Sequence, residues 1–104
     1  MSESNQPLNH KAAVLGGGSF GTAIANILAG NGFNVALWMR NQENIAHILE
    51  KRENPQYLPG VTLHDNLQPT DDLEAAINDA TVLFYAVPSK SFRELVERTK
   101  EFVN

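Results

Sequence analysis

The sequence predicts an α/β fold built on a doubly wound parallel sheet. Short apolar runs alternate with helix-forming segments in the order β-α-β-α-β-α-β-α, which is typical of parallel strands joined by crossover helices. Glycines cluster between the first apolar run and the first helical segment, in "VLGGGSFGTAIA". The sequence ends on a helical pattern with no strand after it, so we expect an incomplete sheet that continues in a longer protein.

Composition limits the classes of function. The 104 residues are enough for one small domain with a modest core. The net charge is -4, and Lys and Arg are scattered, so we expect no nucleic-acid or membrane partner. The absence of cysteine excludes disulfides, thiolate catalysis and Cys-based metal sites, and we expect no metal. No apolar run has signal-core or membrane-spanning length, which indicates a cytoplasmic protein.

The first half of the chain contains two strands and two helices. Residues 1–10 are predicted to be a disordered leader, and residues 11–104 the domain. "KAAVLG" (residues 11–16) and "FNVALWM" (residues 33–39) are predicted strands. A helix is predicted from Phe20 to about Ala29, ending at Gly30 or Gly32. Its expected buried face contains Ala23, Ile24, Ile27 and Leu28, and a second helix is marked by Ile45, Ile48 and Leu49.

The second half begins with an irregular segment, residues 53–60, that contains two prolines. "VTLHDNL" (residues 61–67) is predicted to hold a short strand, and residues 71–79 a helix that begins at Asp71. "TVLFYAV" (residues 81–87) reads as a strand buried on both faces. The last helix is expected to open with a Ser91–Glu94 capping box and to bury Phe92, Leu95 and Val96.

The glycine cluster fits a dinucleotide-binding fingerprint of a Rossmann-type sheet. Gly16, Gly18 and Gly21 match G-x-G-x-x-G directly after the first strand and at the start of the first helix. Gly16 makes the tight turn, Gly18 lets a pyrophosphate approach the backbone, and Gly21 lets helix and strand pack closely. The helix N-terminus offers free N–H groups to the phosphates. A purely structural glycine-rich turn remains the alternative.

Two other motifs overlap the same residues. A phosphate-binding P-loop is excluded, because Thr22 stands where that motif requires lysine. A nucleophile elbow, G-x-S-x-G, is satisfied by residues 17–21 and would make Ser19 a nucleophile. Neither His47, in a predicted helix, nor His64, in the short strand, is obviously placed to be its base. An elbow also normally follows several earlier strands, so this reading stays a remote alternative.

The residue after the second strand suggests which dinucleotide binds. NAD sites usually carry Asp or Glu there to accept a hydrogen bond from the ribose, but this strand ends "ALWMRN". Arg40 suits a 2′-phosphate through bidentate hydrogen bonds, and its plane can lie on an adenine ring. The sequence therefore favours NADP(H), with NAD(H) possible. An exposed arginine without a ligand is the alternative.

Several stretches together resemble a known family. "GGGSFGTAIA", "VALWMRN", "NPQYLPG" and "NLQPTDDLEAAINDATVLFYAVPS" are similar, in order and spacing, to the N-terminal part of bacterial-type NAD(P)-dependent glycerol-3-phosphate dehydrogenase. The resemblance implies reduction of dihydroxyacetone phosphate to sn-glycerol 3-phosphate, which feeds glycerophospholipid synthesis. It also implies a cytoplasmic homodimer.

The resemblance also assigns roles to residues. Ser19 and Phe20 fall where the family contacts the pyrophosphate, and Arg40 where it has a basic residue near the 2′-phosphate. Val87 and Pro88 fall beside the nicotinamide, and Tyr57 in a loop that approaches the cofactor. Gly17 stands where the family more often has alanine, a position that the fingerprint leaves free.

The resemblance places catalysis outside this chain. The family's catalytic and substrate-binding lysines and its helical substrate domain lie beyond residue 104, and Lys90 does not match a catalytic lysine. We therefore expect this chain to contain no catalytic residue and to be inactive alone. Two alternatives stay open: an NADP-dependent reductase of another keto or imino substrate with the same architecture, and a non-catalytic NAD(P)-binding module.

Overall fold

The computed structural model describes residues 10–102. Its elements are, in chain order, β1 (Lys11–Leu15), α1 (Ser19–Gly30), β2 (Asn34–Trp38), α2 (Gln42–Lys51), β3 (Leu67–Thr70), α3 (Leu73–Ile77), β4 (Val82–Tyr85) and α4 (Ser89–Thr99). The predicted alternation is confirmed. The predicted leader lies outside the described residues except for His10. The His10 carbonyl oxygen accepts a hydrogen bond from Asn34 N.

The four strands form one parallel sheet in the order β3-β2-β1-β4. The chain winds outward from β1 to β3 and then crosses back to the other side of β1, so the winding reverses between β1 and β4. Leu15 is in register with both Trp38 and Tyr85. The segments that follow β1, β2 and β4 therefore leave the sheet at one edge, which is where open α/β sheets bind ligands.

The helices cover both faces of the sheet, as predicted for a doubly wound fold. One buried cluster packs α1 and α2 on the sheet, and the other packs α3 and α4 on the opposite face. The strand residues of the first cluster are Ala12, Val14, Val35, Leu37 and Leu67. Those of the second are Ala13, Leu15, Ala36 and Trp38. Alternation of the strand side chains between the two clusters follows from the period of two in a β-strand.

The buried face of α1 agrees with the prediction only in part. The helix buries Gly21, Thr22, Ala25 and Ala29, whereas Ile27 is 63% exposed. The helix lies so close to the sheet that a Cβ on Gly21 would overlap the Gly16 carbonyl oxygen. Ile24 and Leu28 of the predicted face are half-buried and pack against the first cluster, but only small residues fit the closest contact.

The two outer strands also depart from expectation. The strand predicted within residues 61–67 begins only at Leu67 and continues to Thr70. It contains Pro69, and an edge strand tolerates a proline because one row of its N–H groups is unpaired. β4 was predicted to be buried on both faces, but Phe84 is 37% exposed. β4 is the outermost strand of the described sheet on its side, so it lacks the cover that an inner strand receives.

The starts of the last two helices are set differently from the prediction. Asp72, not Asp71, caps α3 by accepting a hydrogen bond from Ala75 N at 3.1 Å. α4 begins at Ser89 and has no side-chain cap, so the predicted Ser91 capping box is wrong. Leu95 is buried as expected, but Phe92 is 46% exposed. No helix within residues 10–102 is long and apolar enough to span a membrane.

Candidate functional site

Two of the fingerprint glycines are required by the packing of the chain itself. Gly16 has φ +128°, and a Cβ there would overlap the carbonyl oxygen of Ala86 after β4. Gly21 lies on the α1 turn that presses against Gly16, and its added Cβ would overlap the Gly16 carbonyl oxygen. These positions hold β1, β4 and α1 together at the carboxyl edge of the sheet, whether or not a ligand binds.

Gly18 has no such internal reason to be glycine. Its φ is -73°, a value open to any residue, and a Cβ added there meets no heavy atom within 4 Å. Gly18 is also the N-cap of α1, without a side-chain hydrogen bond and without an acidic residue in the first turn. The first N–H groups of a helix lack intrahelical partners and carry the positive end of its dipole. The open space before Gly18 therefore fits a phosphate group.

Gly17 proves to be more constrained than the fingerprint implies. A Cβ on Gly17 would lie 2.6 Å from Met39 Cε and 2.7 Å from Met39 Cβ. Met39 is 4% exposed, so it has little room to move away. The expectation that this position is free is therefore wrong: in this chain, glycine at 17 accommodates methionine at 39.

Arg40 lies where two small cavities meet at the carboxyl edge of the sheet. Each has a volume of about 220 Å³, and both are lined by Gly17, Met39 and Arg40. The first extends towards Val87, Ser91 and Leu95. The second extends towards Gly18, Asn41, Asn44 and Tyr57. We call the two together the carboxyl-edge cleft.

The Arg40 guanidinium lies over the ring of Trp38, two residues earlier in the sequence. Its central carbon lies 5.2 Å from the centroid of the Trp38 ring, a cation–π distance. The indole is itself fixed, because Trp38 Nε1 donates a hydrogen bond to the Asp71 carbonyl oxygen at 3.1 Å. A cationic, planar group with an exposed side chain is thus presented at the cleft, with chemistry suited to a phosphate.

The structure brings together most of the residues that the sequence singled out. Tyr57, from the loop after α2, reaches the cavity formed by Gly17 and Gly18, and Val87 reaches the other one. Ser19, Phe20 and Pro88 stand beside the cleft without lining either cavity. Phe20 is 69% exposed on the first turn of α1, and Pro88 is the N-cap of α4.

Sequence reasoning missed two buried polar residues behind the glycine turn. Thr22 and Asn54 are 0% and 1% exposed, and they hydrogen-bond to each other and to the Gly17 carbonyl. The two residues lie 32 positions apart. In the sequence, Thr22 stands out only as the residue that breaks a P-loop motif, and nothing in a single sequence pairs it with an asparagine in an irregular loop.

The nucleophile-elbow interpretation finds no support in the geometry. Within residues 10–102 no histidine is hydrogen-bonded to Ser19. His64 N donates to Asn26 Oδ1 at 2.9 Å, and its ring lies beside Gly30. Because α1 has 12 residues, its two ends are about 16 Å apart at 1.5 Å per residue. His64 is therefore at the wrong end of α1 to be the base.

A larger groove, about 490 Å³, runs beside β2 and β3, from Lys11 and Asn34 at the amino ends of β1 and β2 to Thr70 at the carboxyl end of β3. No residue of the glycine turn lines it. Lys11 Nζ donates hydrogen bonds to the Ala75 and Asn78 carbonyl oxygens at 3.0 and 2.7 Å, which commits its charge to the C-terminal end of α3. The carboxyl-edge cleft is therefore the better candidate site.

Comparison with known proteins points to one family. Residues 11–104 match the family model described as the N-terminus of NAD-dependent glycerol-3-phosphate dehydrogenase. A protein of Teredinibacter turnerae named glycerol-3-phosphate dehydrogenase [NAD(P)+] is 56% identical over 88 residues, which are 85% of this chain and 26% of the relative. One of the same name from Alcanivorax borkumensis is 52% identical over 94 residues, 90% of this chain and 27% of the relative.

The fold comparison agrees. The crystal structure of a glycerol-3-phosphate dehydrogenase from Coxiella burnetii superposes with a TM-score of 0.86 at 34% identity, over 94% of this chain and 30% of that one. The chain thus spans about a quarter of the length of the curated relatives it matches.

Proposed function

We propose that this chain, which belongs to the family of NAD-dependent glycerol-3-phosphate dehydrogenase N-terminal domains, is the cofactor-binding part of such an enzyme. We also propose that it binds NADP(H) in preference to NAD(H). The observation that carries the proposal is Gly18. The backbone at Gly18 does not itself require glycine, and the space in front of this residue is open. A pyrophosphate lying against the first turn of α1 would require both a residue without a side chain at this position and that open space.

The cleft offers each part of the dinucleotide a different kind of contact. The free N–H groups at Gly18, Ser19 and Phe20 suit the pyrophosphate. The Arg40 guanidinium suits the 2′-phosphate, and no acidic side chain stands at the end of β2 to prefer a bare ribose hydroxyl. This charge pattern supports the NADP(H) preference.

The remaining contacts extend along the cleft in two directions. Tyr57 lines the same cavity as Gly17 and Gly18. Val87 and Pro88, two and three residues after the end of β4, would border the nicotinamide. Gly16 and Gly21 hold the turn itself in place, because their missing Cβ atoms let β1, β4 and α1 approach closely.

The complete reaction proposed is the reduction of dihydroxyacetone phosphate to sn-glycerol 3-phosphate, a supply for glycerophospholipid synthesis in the cytoplasm. The bound nicotinamide would supply the hydride. This chain's residues would place the cofactor and exclude water from its phosphates, whereas the groups that bind substrate and transfer the proton would belong to a helical substrate domain outside this chain. The functional protein is proposed to be a homodimer that uses neither nucleic acid nor membrane.

Isothermal titration of the chain with NADPH, and separately with ATP, tests the cofactor proposal. NADPH is expected to bind saturably and one to one, and ATP, which has phosphates but neither a 2′-phosphate nor a nicotinamide, much more weakly. Equal binding of both would contradict a dinucleotide site. A full-length protein that contains this chain is expected to oxidise NADPH with dihydroxyacetone phosphate. Turnover only with another keto or imino compound would favour a reductase of that compound with the same architecture. The absence of any turnover would favour a non-catalytic binding module.

A further inference from the structure

Building on the proposed cofactor site, we propose that Asn54 is a positioning residue that aims the glycine turn and the Tyr57 loop at the pyrophosphate. Asn54 lies in the irregular segment between α2 and β3, two residues after the left-handed Arg52 that ends α2. It is 1% exposed, so it cannot touch the cofactor itself. Its effect has to pass through the groups it holds.

The contacts form a directed chain of hydrogen bonds. Asn54 Nδ2 donates to Thr22 Oγ1 at 3.0 Å, and Thr22 Oγ1 donates to the Gly17 carbonyl oxygen at 3.1 Å. A hydroxyl has only one proton. Because Asn54 occupies the acceptor side of the Thr22 hydroxyl, that proton is directed to Gly17. Asn54 Nδ2 also approaches the Gly17 oxygen directly, at 3.4 Å.

Holding the Gly17 carbonyl inward sets the direction of the next amide. In a planar trans peptide the C=O of one residue and the N–H of the following residue point in opposite directions. The Gly17 oxygen faces the buried Thr22 and Asn54 side chains. The Gly18 N–H therefore points away from them, towards the open side of the turn. Without this anchor, the peptide between two glycines is free to rotate.

Asn54 holds the facing wall of the cavity as well. Its Oδ1 accepts a hydrogen bond from Tyr57 N at 3.4 Å, and its carbonyl oxygen accepts one from Leu58 N at 2.7 Å. Tyr57 lines the same cavity as Gly17 and Gly18. One buried amide thus ties together the two walls between which the pyrophosphate would lie. Its donor faces the glycine turn and its acceptor faces the loop.

The test uses two ligands that differ in the pyrophosphate. NADPH contains it, whereas adenosine 2′-monophosphate has the adenine and the 2′-phosphate without it. Asn54→Ala is expected to raise the Kd of NADPH about tenfold, a typical loss for one hydrogen bond to a charged group. The Kd of adenosine 2′-monophosphate is expected to stay within about twofold, because Arg40 is untouched.

Asn66→Ala is the matched control for stability. Asn66 Nδ2 donates to the Ala29 and Phe33 carbonyl oxygens at 2.9 and 2.7 Å, at the opposite edge of the sheet. Its replacement likewise removes side-chain hydrogen bonds, here two to backbone carbonyls, but should leave both Kd values unchanged. If Asn54→Ala and Asn66→Ala bind NADPH equally well, or if Asn54→Ala weakens both ligands alike, the positioning role is refuted.

A second pair of variants keeps the test decisive if Asn54→Ala does not fold. Thr22→Ser retains the hydroxyl and is expected to bind NADPH like the wild type, whereas the isosteric Thr22→Val is expected to lose about tenfold in affinity. Equal binding by the two would overturn the inference. Failure of the wild-type chain to bind NADPH would instead overturn the proposed function, and the inference with it.

Discussion

Gly18 and Gly21 of the fingerprint should respond differently to the same substitution, because the structure gives them different reasons to be glycine. In Gly18→Ala the new methyl group meets no atom within 4 Å. Two small effects on stability then oppose each other. Alanine reduces the conformational freedom of the unfolded chain, which stabilises the fold, but it is a poorer N-cap than glycine, which destabilises the fold. We expect the free energy of unfolding to change by less than about 1 kcal/mol.

Gly21→Ala has the opposite profile. Its Cβ would overlap the Gly16 carbonyl oxygen and lie 3.2 Å from Ala86 Cβ, and a backbone oxygen in the sheet edge cannot rotate away. Such overpacking costs about 3 kcal/mol, which lowers Tm by about 10 °C or more in a domain of this size. Gly18→Ala, in contrast, puts its methyl group where a pyrophosphate would lie. Its Kd for NADPH is expected to rise at least tenfold, about 1.4 kcal/mol.

Urea denaturation followed by Trp38 fluorescence gives the stability of both variants, and titration calorimetry gives the affinity. We expect Gly18→Ala to be as stable as the wild type but to bind NADPH poorly, and Gly21→Ala to be unstable. Gly18→Ala binding NADPH as tightly as the wild type would refute the pyrophosphate assignment. Gly21→Ala with wild-type stability would refute the packing argument.

Three further predictions concern single side chains. Arg40→Ala is expected to raise the Kd of NADPH about 10- to 100-fold while leaving that of NADH within about twofold, because only the bond to the 2′-phosphate is lost; a parallel loss for NADH in the same titrations would contradict the role. Gly17→Ala should destabilise by about 1–3 kcal/mol in urea because its Cβ presses on Met39, and an unchanged midpoint would show that Met39 moves aside. Asp72→Ala removes the N-cap of α3 and should cost about 1 kcal/mol, whereas Asp71→Ala, measured in parallel, should cost less.

The order of elements could be predicted from sequence because each apolar run is short and followed by a helical period. What could not be predicted depends on neighbours far away in sequence. Phe84 and Leu83 read as a doubly buried strand, yet β4 is an outer strand of the described sheet. Ile27 is more apolar than Ala25, yet the close approach of α1 to β1 buries the alanine. Hydrophobicity along the chain does not report the distance between elements.

The same distinction divides the candidate site. Gly16, Gly21 and Arg40 carry local signals, since their spacing after two strands is characteristic. Asn54 and Thr22 carry none, because their importance arises only when the loop after α2 packs behind the glycine turn. The constraint on Gly17 has the same origin, because it comes from Met39, directly after β2, and not from the fingerprint.

The cofactor preference is best measured by titrating this chain with NADPH and with NADH while the fluorescence of Trp38 is recorded. Trp38 is the only tryptophan, it lines the cleft, and its ring carries the Arg40 guanidinium. Saturable binding of both nucleotides with NADPH clearly tighter, and loss of that difference in Arg40→Ala, is the result predicted here. A chain that is folded by a thermal melt and binds neither nucleotide would contradict the account.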